Sequence, residues 1–118
     1  MSSRPHSVGA NLTPNTVTTL FTVPTRNIAK WNLLYAFNGT STAKNFRAWW
    51  YDKSENVEIP IVYDYALNAR EFLKFDGGSY VVLDEGDEIR VWIETGATLP
   101  TAIITVELEQ RSTVQNYL

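Results

Sequence analysis

Residues 80–94 read YVVLDEGDEIRVWIE, and this stretch decides the fold. Two β-rich runs flank a tight acidic turn. On the first run, Val81 and Leu83 alternate with Tyr80 and Val82. On the second, Ile89, Val91 and Ile93 alternate with Glu88, Arg90, Trp92 and Glu94. A period of two with one apolar side marks strands that bury a single face. Asp84-Glu85-Gly86-Asp87 supplies the turn: glycine takes positive φ without steric cost, and aspartate side chains bond nearby backbone N–H groups. The expected element is a β-hairpin lying across a core, with the rest of the chain packing on it or pairing with it.

Working outward, the same period recurs. Residues 16–23 place Val17, Leu20, Phe21 and Val23 among threonines, and Pro24 ends the run. In 27–38, Ala29, Trp31, Leu33, Tyr35 and Phe37 share one face. In 44–52, Phe46, Ala48 and Trp50 fall on one side, with Asn45, Arg47, Trp49 and Tyr51 on the other. Val57, Ile59, Ile61 and Tyr63 alternate along a further strand, which Pro60 marks as an edge or a bulge. Residues 64–70, DYALNAR, form the one helix-like segment, too short for more than a turn or two. A short strand at 71–75 and a last one at 101–110 complete the set. The pattern predicts an all-β fold: one β-sandwich, jelly-roll-like, of about eight antiparallel strands. Its expected boundaries are an extended N-terminal arm at 1–15, the sandwich at 16–110 and a C-terminal tail at 111–118. Trp31, Leu33, Phe37, Trp50, Leu83, Ile89 and Val91 are the expected core.

Composition narrows the function. A chain of 118 residues that is 44% hydrophobic can bury a real core. The net charge of −3 leaves no basic face for phosphates, so no nucleic-acid partner is expected. With no cysteine, disulfides and thiolate metal sites are excluded. No run reaches transmembrane length, and 1–10 lacks the apolar stretch of a secretory signal, so no membrane partner is expected.

No catalytic constellation stands out. Nucleophilic catalysis needs an activated Ser, Cys or Thr beside a base, and the single histidine, His6, lies in the unpatterned arm. Asp84, Glu85, Asp87 and Glu88 have the oxygen-rich chemistry that hard cations want, but a solvated turn explains them better. Glu107 and Glu109 share a strand face without an opposing cleft, which glycoside hydrolysis requires. No catalytic residue, metal or cofactor is therefore assigned. The aromatics are more telling. Trp49, Tyr51 and Trp92 fall on strand faces that carry Arg47 and Arg90, and Trp and Arg are the types most enriched at interface hot spots.

Taken in order, Leu20-Phe21-Thr22-Val23-Pro24, the strand through Leu33-Leu34 to Asn38, Arg47-Ala48-Trp49-Trp50-Tyr51-Asp52, the short strand at Leu73, and 81–91 with its Leu-Asp-Glu-Gly-Asp-Glu-Ile core form a series. The series resembles small β-sandwich virion proteins of tailed bacteriophages, both head decoration (cement) proteins and tail accessory proteins, over about 16–109. The resemblance implies a non-enzymatic virion protein, made in the host cytoplasm, that binds the outer surface of the phage head as a homotrimer. Its implied partners are the major capsid protein or other virion proteins. In such proteins the termini reach into neighbours. That adds Val8, Leu12, Tyr117 and Leu118 to Trp49, Tyr51 and Trp92 as expected interface residues. The alternative is a carbohydrate- or receptor-binding tail accessory domain using the same three aromatics.

Overall fold

The computed structural model describes residues 3–76 and 81–110; Tyr80 and the tail 111–118, with Tyr117 and Leu118, lie outside the described residues. The chain forms β1 (Ser3–Asn11), β2 (Thr18–Thr22), β3 (Asn27–Phe37), β4 (Lys44–Asp52), β5 (Val57–Leu67), β6 (Phe72–Asp76), β7 (Val82–Leu83), β8 (Glu88–Ile93) and β9 (Thr101–Gln110). They make two antiparallel sheets. One runs β1-β9-β3-β6, with β7 also on β3; the other runs β2-β8-β4-β5. β6 and β7 pair successive lengths of the same side of β3. Counted as one edge strand, they leave eight strands wound as a jelly roll. Among the described residues no helix is long and apolar enough to cross a membrane.

The core lies between the sheets. Ala29, Trp31, Leu34 and Ala36 of β3 and alternate residues of β9 from Ala102 to Leu108 meet Phe46 and Ala48 of β4 and Ile89, Val91 and Ile93 of β8. The alternation legible in β4, β8 and β9 is what aims these side chains inward.

Four expectations are corrected. First, 80–94 is not a hairpin. Its first arm, β7, pairs β3 in one sheet, and its second, β8, pairs β2 and β4 in the other. The acidic turn is thus a crossing between sheets. Two buried runs read alike whether their partners are each other or strands distant in sequence, so alternation could not distinguish the cases.

Second, β3 changes face midway. Trp31 stands opposite Val106 and Leu33 opposite Thr105, so Asn32 is an extra residue in a β-bulge. Beyond it the inward residues are Leu34, Ala36 and Asn38, while Leu33, Tyr35 and Phe37 are half-buried. Trp50 is also only half-buried, because it sits at the end of β4 where the core opens.

Third, 64–70 is not helical. β5 runs on through Leu67, paired with Lys44, Asn45 and Phe46, because ladder pairing outweighs the weak preference of so short a helical segment. Extra residues on β5, at Ile61 and near Asp64, keep it in register with β4 despite Pro60. β5 is an edge strand, as Pro60 implied.

Fourth, the stretch expected as an arm supplies β1, whose nine residues all pair with β9. An edge strand draws its hold from backbone hydrogen bonds, and only Val8 and Ala10 of β1 pack against the core, so no alternation announces it. Leu12, expected at an interface, is 6% exposed and belongs to this chain's own core.

Candidate functional site

Inward placement of Phe46, Ala48, Ile89, Val91 and Ile93 leaves the intervening residues of β4 and β8 on the outer face of their sheet. Register then sets Arg47 opposite Trp92, Trp49 opposite Arg90 and Tyr51 opposite Glu88. All three expected aromatics therefore lie on one surface, each half-buried. Val8 is apart from them on β1, and its side chain packs against the core.

Two guanidiniums organise this face. Arg47 donates from Nε to Asp64 Oδ1 at 2.6 Å and from Nη2 to Asp64 Oδ2 at 3.2 Å. Its planar head lies over Trp92, 4.3 Å from the ring centre, and over Tyr63 at 4.4 Å. Asp64 has φ 52°, and this left-handed backbone lies within the bulged part of β5. Arg90 donates from Nε to Glu88 Oε1 at 2.8 Å and from Nη1 to Glu58 Oε2 at 2.9 Å, and it covers Tyr51 at 4.0 Å. Tyr51 in turn donates its hydroxyl to Asn56 Oδ1 at 2.6 Å, and Thr19 Oγ1 donates to Glu88 Oε1 at 3.1 Å.

The charges are spent within the face. The Arg47 guanidinium is pushed above its ordinary value, first by its hydrogen bond to Asp64 and then by that carboxylate's charge, against the opposing pull of desolvation. Arg90 is pushed up first by Glu88 and further by Glu58, again against desolvation. Both stay cationic, with carboxylates already in hand. The face presents flat rings and paired charges, two guanidiniums held by three carboxylates, which suits contact with another surface more than acid–base work.

Sequence reading missed Tyr63, Asp64 and Glu58. All three are on β5, where the bulges break the alternation and a helix-like string hides the strand. Pro60 was the one signal of that irregularity.

The acidic turn is built for a different task. Asp87 is 3% exposed, not solvated. Its Oδ2 accepts Trp50 Nε1–H at 3.1 Å and Asp84 N–H at 3.0 Å, and its Oδ1 accepts Lys53 N–H at 3.0 Å. Gly86 takes φ 85°, and a Cβ there would meet Lys53 Cδ at 2.6 Å. Among the described residues no three His, Asp or Glu are placed to hold a metal ion. His6 lies on β1, tilted against Phe21 at 5.9 Å, away from the aromatic face.

At the other end of the sandwich, Asn38 is fully buried. Its Nδ2 donates to the carbonyls of Thr42, Leu67 and Asn68 at 3.0 to 3.1 Å, and its Oδ1 accepts Thr40 N–H at 2.9 Å. One side chain therefore ties the β3–β4 connection to the end of β5.

No protein-family model matches the chain, and no curated protein matches it in sequence. Among solved structures it is similar to a chain of the extra small virus virus-like particle of the giant freshwater prawn Macrobrachium rosenbergii, at 11% identity and TM-score 0.42, over 90% of this chain and 77% of that one. It is also similar to a chain of the infectious bursal disease virus particle, at 6% identity and TM-score 0.48, over 95% of this chain and 36% of that one. The Gt strain of the same virus gives 8% identity and TM-score 0.41, over 93% and 38%. The chain thus spans well under half the length of the bursal virus chains. At these identities the likeness is one of fold.

Proposed function

We propose that this protein is a non-enzymatic structural component of a virion. In its finer form, the proposal is a decoration (cement) protein on the outer surface of a tailed-phage head, acting as a homotrimer bound to the major capsid protein. The motif series from Leu20 to Val91 motivates the reading. The jelly roll admits it without selecting it, since viral capsid domains, lectins and cupins all use this fold.

The observation that carries the proposal is the outer face of β4 and β8. Trp49, Trp92, Tyr51 and two arginines cover it, and both arginines have their carboxylates in hand. Aromatic and Arg side chains on a sheet face whose guanidiniums are already paired are the makings of a protein contact. A sugar platform needs open ring faces, and guanidiniums lie over Tyr51, Tyr63 and Trp92. That weighs against the carbohydrate-binding alternative.

The test is co-sedimentation of purified protein with empty heads of the phage whose genome carries the gene. Saturable binding at a fixed ratio is expected, weakened in Trp92→Ala and Trp49→Ala. Removing 1–15 would strip an edge strand and Leu12 from the fold, so the point variants separate attachment from folding. Absence of binding to heads, together with selective binding on a glycan array, would overturn the proposal in favour of the alternative.

A further inference from the structure

We infer that the free edge of β1 is a strand-addition site, taking an extended segment of another protein that sets a large apolar side chain opposite Gly9. Backbone parity defines the edge. Leu12 N–H donates to the Pro100 carbonyl at 2.8 Å, one pair past Asn11–Thr101 in the β1–β9 register. Opposed residues of an antiparallel pair alternate between those that exchange N–H···O bonds and those that do not. Ala10, Val8, His6 and Arg4 therefore bond β9 as Leu12 does. Asn38 N–H donates to the Glu71 carbonyl, and counting from there across β3 and β9 gives the same parity. Ser3, Pro5, Ser7, Gly9 and Asn11, all exposed, aim their backbone groups away from β9. Pro5 has no N–H to give, and it stands at an outward position, where none is missed.

The other edges are guarded. β5 has Pro60 and bulges, β6 is five residues long with Lys74 and Asp76, and β2 is five long with a shift between Thr19 and Phe21. β1 runs nine residues without a shift. Arg4 and Pro5 guard only its start. From Ser7 to Asn11 it has no charge, proline or bulge, the devices that block strand pairing. The N–H and C=O groups of Ser7, Gly9 and Asn11 recur about every 6.8 Å. Another extended backbone matches that row, and a helix, whose backbone groups bond one another, does not.

Side chains choose the occupant. A hollow of about 330 Å³ opens over Gly9, walled by Asn11, Thr101 and Ile103, and Ile103 is 39% exposed beside it. A large apolar residue opposite Gly9 would cover both, as cross-strand neighbours do. A second copy of β1, added antiparallel, supplies none: outward residues would oppose outward residues, so only Ser, Pro, Gly or Asn would face the hollow. That selects a strand from a different chain. On the inner face, its alternate residues would extend the cover over Val8 and Ala10 at the rim of the core. The site lies apart from the β4–β8 face and does not rest on the virion reading.

Amide hydrogen exchange of the full chain, followed by NMR, tests it. The probes are nine-residue peptides of alternating threonine and valine, capped with lysines for solubility, with phenylalanine or serine in place of the central threonine. In the free chain, Val8 and Ala10 amides should be protected while those of Ser7, Gly9 and Asn11 exchange freely. The phenylalanine peptide should protect these three at least about 10-fold and bind at least about 10-fold tighter than the serine peptide. A Cβ on Gly9 would meet Ile103 Cγ1 at 3.4 Å, so the hollow has room for a side chain. Gly9→Thr should bind the serine peptide but lose the preference for phenylalanine. Ser7→Pro, which removes an outward N–H, should weaken both, with circular dichroism checking that each variant folds. No protection at about 1 mM peptide, equal binding of the two peptides, or shifts gathered on the β4–β8 face would overturn the inference. So would protection of Ser7, Gly9 and Asn11 without peptide, at any protein concentration, since this chain would then fill its own edge.

Discussion

The indole N–H of Trp50 points at the carboxylate of Asp87 from 3.1 Å, and this bond fastens the turn between the two sheets to the end of β4. The same carboxylate holds Lys53 N–H and Asp84 N–H, so one buried side chain closes three loose backbone or ring donors. Truncating it leaves all three unsatisfied. Asp87→Ala is expected to cost about 3 kcal/mol or more, because each buried donor left without a partner costs about 1–3 kcal/mol. Urea unfolding followed by tryptophan fluorescence measures it, and a loss under about 1 kcal/mol would contradict this account.

Because those oxygens already accept N–H groups, the turn has no free carboxylate pair at Asp87 to offer a cation. Calcium is therefore expected to leave the melting temperature where EDTA leaves it. A clear rise with calcium concentration would reveal a bound ion stabilising by mass action.

The bulge at Asn32 makes adjacent leucines unequal. Leu34 is fully buried, and its replacement by alanine is expected to cost about 2–5 kcal/mol. Leu33 is on the outer side of the bulged strand and should cost under about 1.5 kcal/mol. Equal losses in the two variants, measured by urea titration, would mean that the bulge is misplaced.

Asn38 gives a chemical test. Its amide nitrogen faces three carbonyls, so Asn38→Asp sets a carboxylate against acceptors in a dry site. A loss of about 3–5 kcal/mol is expected, larger than that of Asn38→Ala. An aspartate variant as stable as wild type at neutral pH would refute the donor role.

Arg47 should matter little to stability, since it joins an exposed ion pair. Arg47→Ala is instead expected to change the emission of Trp92, whose ring loses the guanidinium lying over it. Trp92→Phe supplies the difference spectrum that isolates this signal.

Much of this architecture was legible in the residues. β4 and β9 begin and end where their alternation does, and the outward placement of Arg47, Trp49 and Trp92 follows from the inward placement of Phe46 and Ala48. Single extra residues were not legible. Asn32 reverses the parity of half a strand without any change in local composition, and the bulges of β5 hid Asp64, the partner that holds Arg47. β1 was invisible for another reason. Its stability is written in the backbone of β9, about a hundred residues away, and not in its own side chains.

That last pairing has a consequence for biosynthesis. β9 lies between β1 and β3 in its sheet, so both neighbours emerge from the ribosome long before the strand that joins them. The sheet cannot close until residue 110 is free of the exit tunnel. Until then β1 and β3 stand with unfilled edges, in the state where nascent chains most readily pair with the wrong partner. Contacts of such sequence separation also slow the search for the native state. Yield in the host should therefore depend on chaperone capacity and growth temperature more steeply than the stability of the finished molecule would suggest.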